Sequence, residues 1–207
     1  MPSWRLLDAA QIAAGSKYTF YRPSDASIGK IAVGETVKLI FEFDNDDPSE
    51  PSAERMWVLV DAIDGQGHFR GRLDNEPYWI KDLQPDDRIE FRDIHIINTE
   101  HDDDDNIVRK YLPRCFVTSR VLYDGERIGR LWREEPEQEN DSGWRIIAGD
   151  ETQEYMDDSD NVAYVSLGAV LNRDDSVLSL LDAPVGSSFE RAPGGEGFVS
   201  VEDEEPS

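Results

Sequence analysis

The sequence predicts an α+β protein of two small domains, each a bent antiparallel sheet or open barrel with one or two short helices. Three observations point there. Short runs with alternating apolar residues recur, TVKLIFEF at 36–43 being the clearest. Turn signals separate them, among them Gly34-Glu35, Asp64-Gly65-Gln66-Gly67 and Asp124-Gly125. The strand–helix–strand alternation of a parallel sheet is missing.

At 207 residues the chain fits one large or two small domains. The run EHDDDDN at 100–106 gathers like charges that repel and resist packing, so it reads as a linker. The expected organisation is a β-rich domain over 1–99, an acidic linker over 100–109, a second domain over 110–191 and a disordered acidic tail over 192–207.

In order, residues 4–15 read as a short amphipathic helix with Leu6, Leu7, Ala10 and Ala14 on one face and Gly15 as its stop. A Pro-Ser-Asp signal at 23–25 suits one helical turn. Strands follow over 36–43, 55–63, 68–73 and 88–97, the first with Val37, Leu39, Phe41 and Phe43 inward. In the second domain, strands are expected over 114–122 and 126–132, joined by a hairpin at Asp124-Gly125, then over 144–147 and 161–171. Helices are expected to begin at Gly149 and behind Asp174-Asp175-Ser176, and an edge strand over 187–191. The glycine-rich, then acidic, end GGEGFVSVEDEEPS reads as disordered.

Acids outnumber bases 45 to 21, for a net charge of −24. Such a chain repels nucleic acid and anionic membranes and attracts basic partners over long range. The start, MPSWRLLDAAQ, lacks the basic and apolar regions of a signal peptide, and no run is long enough to span a bilayer, so a cytoplasmic protein is expected. The single cysteine, Cys115, forms no internal disulfide and lies in an apolar run that suits a core position.

Catalytic signatures do not emerge. Phosphate-loop, dinucleotide and nucleophile-elbow spacings are lacking. His68, His95 and His101 fit no zinc spacing. Asp158-Ser159-Asp160-Asn161 resembles the start of a calcium loop, but Ala163 stands where its turn glycine belongs and Ala169 where its last carboxylate belongs. Neither a metal nor a cofactor is expected. Carboxylates crowded on polar segments stay solvated and ionised, which suits covering a cationic surface better than acid–base work. The residues expected to meet a partner are Asp141, Asp150, Glu151, Glu154, Tyr155, Asp157, Asp158 and Asp160. Trp132, Trp144, Tyr155 and Tyr164 lie near these acids, with Trp144 expected in the core.

Two resemblances follow from longer stretches. Residues 115–191 resemble the bacterial family immunity protein 33, also known as domain-of-unknown-function family 2185, through CFVTSRVLYDGERIGRLWREEP, DSGWRIIAGDETQEYMDDSDN and SLLDAPVGSSFER. Residues 18–97 resemble domain-of-unknown-function family 2314 through YTFYRPS, VGETVKLIF, ERMWVLVDAIDGQGHFRGRLDNEP and IKDLQPDDRIEF. The first implies association with polymorphic-toxin loci and protection of the producing cell by binding a toxin. The second brings no chemistry, and neither brings catalytic residues. The expectation is a non-catalytic binder whose partner is a protein, a basic toxin domain such as a nuclease. The alternatives are a housekeeping regulatory or scaffold module and, last, an enzyme using a cleft.

Overall fold

The computed structural model describes residues 2–45, 47–195 and 197–201. It is α+β, with two six-stranded sheets and short helices. The chain divides into two compact units: one holds the chain up to Ser16 together with Phe20–Asn106, the other Lys17–Thr19 together with the chain from Ile107 onward.

The first unit contains β1 (Trp4–Leu6), α1 (Ala9–Gly15), α2 (Asp25–Ile28), β2 (Thr36–Phe43), β3 (Ala53–Ile63), β4 (His68–Leu73), β5 (Arg88–Arg92) and β6 (Ile96–Thr99). The sheet runs β1-β2-β3-β4-β5, and β6 returns to pair with β2, curling the sheet toward a barrel. Alternation decides the inside: Val37, Leu39 and Phe41 of β2 and Val58 of β3 are fully buried. Residues 4–6 form a strand rather than a helical turn. They pair with the end of β2, and the helix starts only where the Asp8 carboxylate caps the Gln11 amide (2.8 Å). The expected strand over 88–97 is broken at Asp93–His95 by a 3-10 turn. There His95 Nδ1 accepts the Arg92 amide (3.0 Å), and the chain passes from its pairing with β4 to its pairing with β2.

The acidic run at 100–106 is not a free linker. Asp102 accepts from the Thr99 amide (2.9 Å) and the Asn98 side chain (2.6 Å). Asp103 accepts from the Ser24 amide (2.7 Å) and from the hydroxyls of Ser24, Ser27 and Tyr21. Donors converging on these two carboxylates offset the repulsion expected from the sequence.

The second unit contains α3 (Ile107–Lys110), β7 (Arg114–Thr118), α4 (Ser119–Leu122), β8 (Arg130–Arg133), β9 (Asp141–Ile147), α5 (Gln153–Met156), β10 (Val162–Ser166), α6 (Leu167–Leu171), β11 (Ser188–Arg191) and β12 (Phe198–Ser200). The sheet order is β10-β7-β9-β8-β11-β12. Cys115, Val117, Leu131, Trp144 and Ile146 join Val121, Leu122, Leu167, Val170 and Leu171 in one core. Burial pushes the Cys115 thiol up to about 12, so it is an inert core group.

Several expected elements differ here. The strand over 114–122 stops at Thr118 and turns into α4, and that over 161–171 stops at Ser166, whose hydroxyl caps α6 through the Ala169 amide (3.3 Å). The hairpin at Asp124-Gly125 does not form: β8 pairs with β9 and β11, while β7 pairs in parallel with β9, making the sheet mixed. Asp174 caps no α-helix. It accepts the Ile128 amide (3.0 Å) and pairs with Arg191 (2.7 Å), leaving only a 3-10 turn at Leu178–Leu180. The strand at 188–191 is interior, because residues 198–200 of the expected disordered tail pair with it as β12, with the Arg191 guanidinium 4.6 Å from the Phe198 ring. Residues 202–207 of that tail lie outside the described residues.

Candidate partner-binding surface

The segment from 134 to 160 holds eleven acids and one base, Arg145. The structure spends that base on a buried knot. The Arg145 guanidinium forks onto Asp141 (Nη1–Oδ1 3.1 Å, Nη2–Oδ2 3.2 Å), reaches Glu134 through Nε (3.0 Å) and Glu137 through Nη2 (3.0 Å), and lies 4.7 Å from the Phe116 ring centroid. The Asp141 side chain is 0% exposed and also accepts the Gly143 and Glu137 amides. Burial pushes the Asp141 carboxyl up, but Arg145 and these amides outweigh it and hold it below the usual range. Residues 141–143, expected as a surface turn, are the first residues of β9. Gly143 makes this possible: its φ is +80°, and a Cβ there would collide with the Glu134 carbonyl. Asp141 is therefore scaffold and presents no charge to a partner.

Glu151 is also inward-looking. Its carboxylate accepts from the Ala148 amide (2.8 Å), the Gly149 amide (2.7 Å) and the Thr118 hydroxyl (2.7 Å). It closes the loop after β9, so no helix begins at Gly149. The helix α5 starts instead behind Thr152, whose hydroxyl accepts the Tyr155 amide (3.2 Å). Burial raises the Glu151 carboxyl, and the three donors more than reverse that. Asp150 is exposed but pairs with Arg120 (2.7 Å).

The remaining expected residues behave differently. Glu154, Asp157, Asp158 and Asp160 are exposed on α5 and the 3-10 turn Ser159–Asn161. Asp157 accepts from the Gln153 side chain (2.7 Å) and Asp158 caps the Asp160 amide (3.0 Å), so loop geometry holds them apart without neutralising them. Tyr155 is half-buried, and its hydroxyl is buried without a hydrogen-bond partner. Trp144 is fully buried, its indole N–H directed to the Leu181 carbonyl (3.3 Å).

Cross-strand register places a second set of groups on the sheet face opposite the core: Phe116 of β7, Tyr164 of β10, Arg145 of β9 and Trp132 of β8. Arginines lie over three of these rings: Arg114 over Tyr164 (4.4 Å), Arg130 over Trp132 (5.7 Å) and Arg145 over Phe116. The sequence placed Trp132 and Tyr164 near the acids as aromatics that could anchor a partner, but Phe116 and these arginines did not stand out in it. Alternation along β7 was the available signal, hidden by reading the strand through to 122.

Among the described residues, no group of three or more His, Cys, Asp or Glu is arranged to hold a metal ion. No described helix is long and apolar enough to cross a membrane.

The stretch from β7 to β12 has a known counterpart. Residues 115–202 match the family model of the Immunity protein Imm33 domain. The Imm33 match takes in all eight residues expected to meet a partner, and it runs on through β12, beyond the stretch where the resemblance was seen. Searches of curated proteins and of solved structures gave no match. The resemblance of residues 18–97 to domain-of-unknown-function family 2314 gains no support from these comparisons.

Proposed function

We propose that this protein is an immunity-type protein that neutralises a protein toxin in the cytoplasm by binding it, and that the exposed carboxylates of Glu154, Asp157, Asp158 and Asp160 meet a basic surface of that toxin. The observation that carries this reading is the coincidence of the Imm33 match with a segment whose one base is consumed internally. Carboxylates left without a cationic partner suit charge-assisted hydrogen bonds to Arg and Lys, as on a nuclease domain. An interface of roughly 800 Å² per partner is within reach of a domain this size. Tyr155, half-buried between these acids with its hydroxyl turned inward, offers the partner the exposed part of its ring. The reading assigns no catalytic role to any residue.

The test begins with the gene beside this one. Its product, or a basic toxin domain recovered from the native host at low salt, is measured for binding to the full chain. Asp157→Lys with Asp158→Lys should weaken binding at least about tenfold, the scale of two lost charge contacts, and lower the melting temperature by only the few degrees that loss of the Asp158 cap costs, which Asp158→Ala alone reproduces. Association should slow as salt rises, because steering is screened. Unchanged affinity in the double variant sinks the proposal for this surface.

A further inference from the structure

A cleft of about 490 Å³ opens in the first unit at the tip of the β3–β4 hairpin. Its lining includes Ala62, His68, Arg70, Glu90, Arg92 and His95. The strand registers explain the grouping. Ala62 lies opposite Arg70, Arg70 opposite Glu90, and His68 opposite Arg92, so these residues share one face across three strands. Phe69 and Phe91 alternate with them into the core and stack at 5.3 Å, which holds β4 and β5 in register. A bulge between Val60 and Ala62 bends β3 at this point, and the short Ala62 side chain leaves room beside the longer ones.

Two guanidiniums share this cleft. Arg70, Glu90 and Arg92 are exposed, and among the described residues none of the three has an oppositely charged group within 4 Å. Asp64, also in the lining, is already engaged: it accepts the Gln66 and His68 amides and pairs with His68 Nδ1 (3.0 Å). His95 Nδ1 accepts the Arg92 amide, so the neutral ring carries its proton on Nε2 and can donate from there. Unpaired arginines occur elsewhere on this surface, but here two of them converge on one concave site.

We propose that this cleft binds a small organic anion, a carboxylate or a phosphate ester, held by the guanidiniums of Arg70 and Arg92 with His95 as a neutral donor. Arginine suits both anions because its planar fork matches two acceptor oxygens. The volume is that of a small-molecule site. A polyanion such as nucleic acid is disfavoured by the chain's overall charge. Glu90 opposes the ligand's charge and so selects against highly charged anions.

The test titrates the full, isotope-labelled chain with succinate and, separately, with inorganic phosphate at constant ionic strength, following amide resonances of residues 62–70 and 88–95. Saturable shifts with either probe support the proposal, and the probe that saturates tells a carboxylate ligand from a phosphate ligand. R70Q and R92Q should each weaken binding about fivefold or more, while E90Q tightens it about threefold, the scale of single charge-assisted contacts. These side chains are exposed and lack ion-pair partners, so the remaining resonances should not move. Linear shifts with both probes, or a Kd unchanged in both arginine variants, overturn the proposal. Binding lost in E90Q overturns it too, since that result makes Glu90 an acceptor for a cationic ligand.

Discussion

Replacing Arg145 by Met isolates what the buried knot does. Glu134 and Glu137 keep 50% and 65% of their side-chain exposure, so each loses a contact worth within about 1 kcal/mol. Asp141 keeps none of its exposure, and a buried carboxylate stripped of its cation costs about 3–5 kcal/mol. Asp141 therefore dominates. A loss of about 3 kcal/mol corresponds to a melting point lower by roughly 6–12 °C for a chain of this size. The sign with pH follows from the carboxyl. In the native protein Arg145 and two amides hold Asp141 below the usual range against its burial. In Arg145→Met burial is no longer opposed by a cation, and the folded-state value rises above the unfolded one of about 3.9. The penalty is then full above the raised value and relieved as pH falls through it. Chemical denaturation of both proteins at pH 8 and pH 5 should show the smaller gap at pH 5. Adding Asp141→Asn to Arg145→Met should recover part of the loss. The reasoning is refuted if Arg145→Met lies within about 1 kcal/mol of the parent at pH 8, if the gap is the same at both pH values, or if the double variant is the less stable of the two.

Trp144→Ala should cost about 3–5 kcal/mol, since the side chain is fully buried and its indole N–H has a carbonyl partner; urea midpoints measure it. Asp103→Ala should destabilise the first unit by about 2 kcal/mol, because it leaves the Ser24 amide and three hydroxyls without their acceptor; hydrogen exchange over α2 locates the effect. Hydrogen bonds from Ser24, ahead of those from Ser27 and Tyr21, hold the Asp103 carboxyl far below the usual range. Its contribution is present above the unfolded value near 4 and disappears as pH falls through the folded one. Acid titration of Asp103→Asn should accordingly lose less stability below about pH 4 than the parent does.

What the sequence disclosed was whatever its local pattern determines. The strand at Thr36–Phe43 was read to the residue, because alternation and a preceding Gly34 turn (φ +94°) agree there. Strands that run straight into helices were read as longer strands, since neither Thr118-Ser119 nor Ser166-Leu167 contains a glycine or proline to mark the change. The signal present was the cap, Ser166 three residues before Ala169. Pairing between distant strands left no local trace: Gly125 does turn, at φ +82°, but nothing around it says that β8 will join β9 instead of β7. The candidate surface was half legible. Acidity marked the segment, while burial divided it, and no composition count separates Asp141 from Asp157. One clue was available, because a lone arginine among eleven acids must satisfy some of them.

Tyr18 has a consequence for how this chain can be divided. It belongs to the second unit, 3% exposed, with its ring edge-on to Tyr111 (5.7 Å), its amide on Asn172 (3.0 Å) and its hydroxyl on Asp175 (2.9 Å). Its carbonyl also occupies the space that a side chain at Gly168 would need. A fragment beginning at Ile107, or one trimmed to the matched 115–202, would lack a core residue made some ninety positions earlier. On the ribosome, that three-residue turn must wait, out of any finished core, until the last third of the chain emerges. Because Lys17–Thr19 precede Phe20–Asn106 of the first unit yet belong to the second, a single crossover between the units leaves the second without that segment.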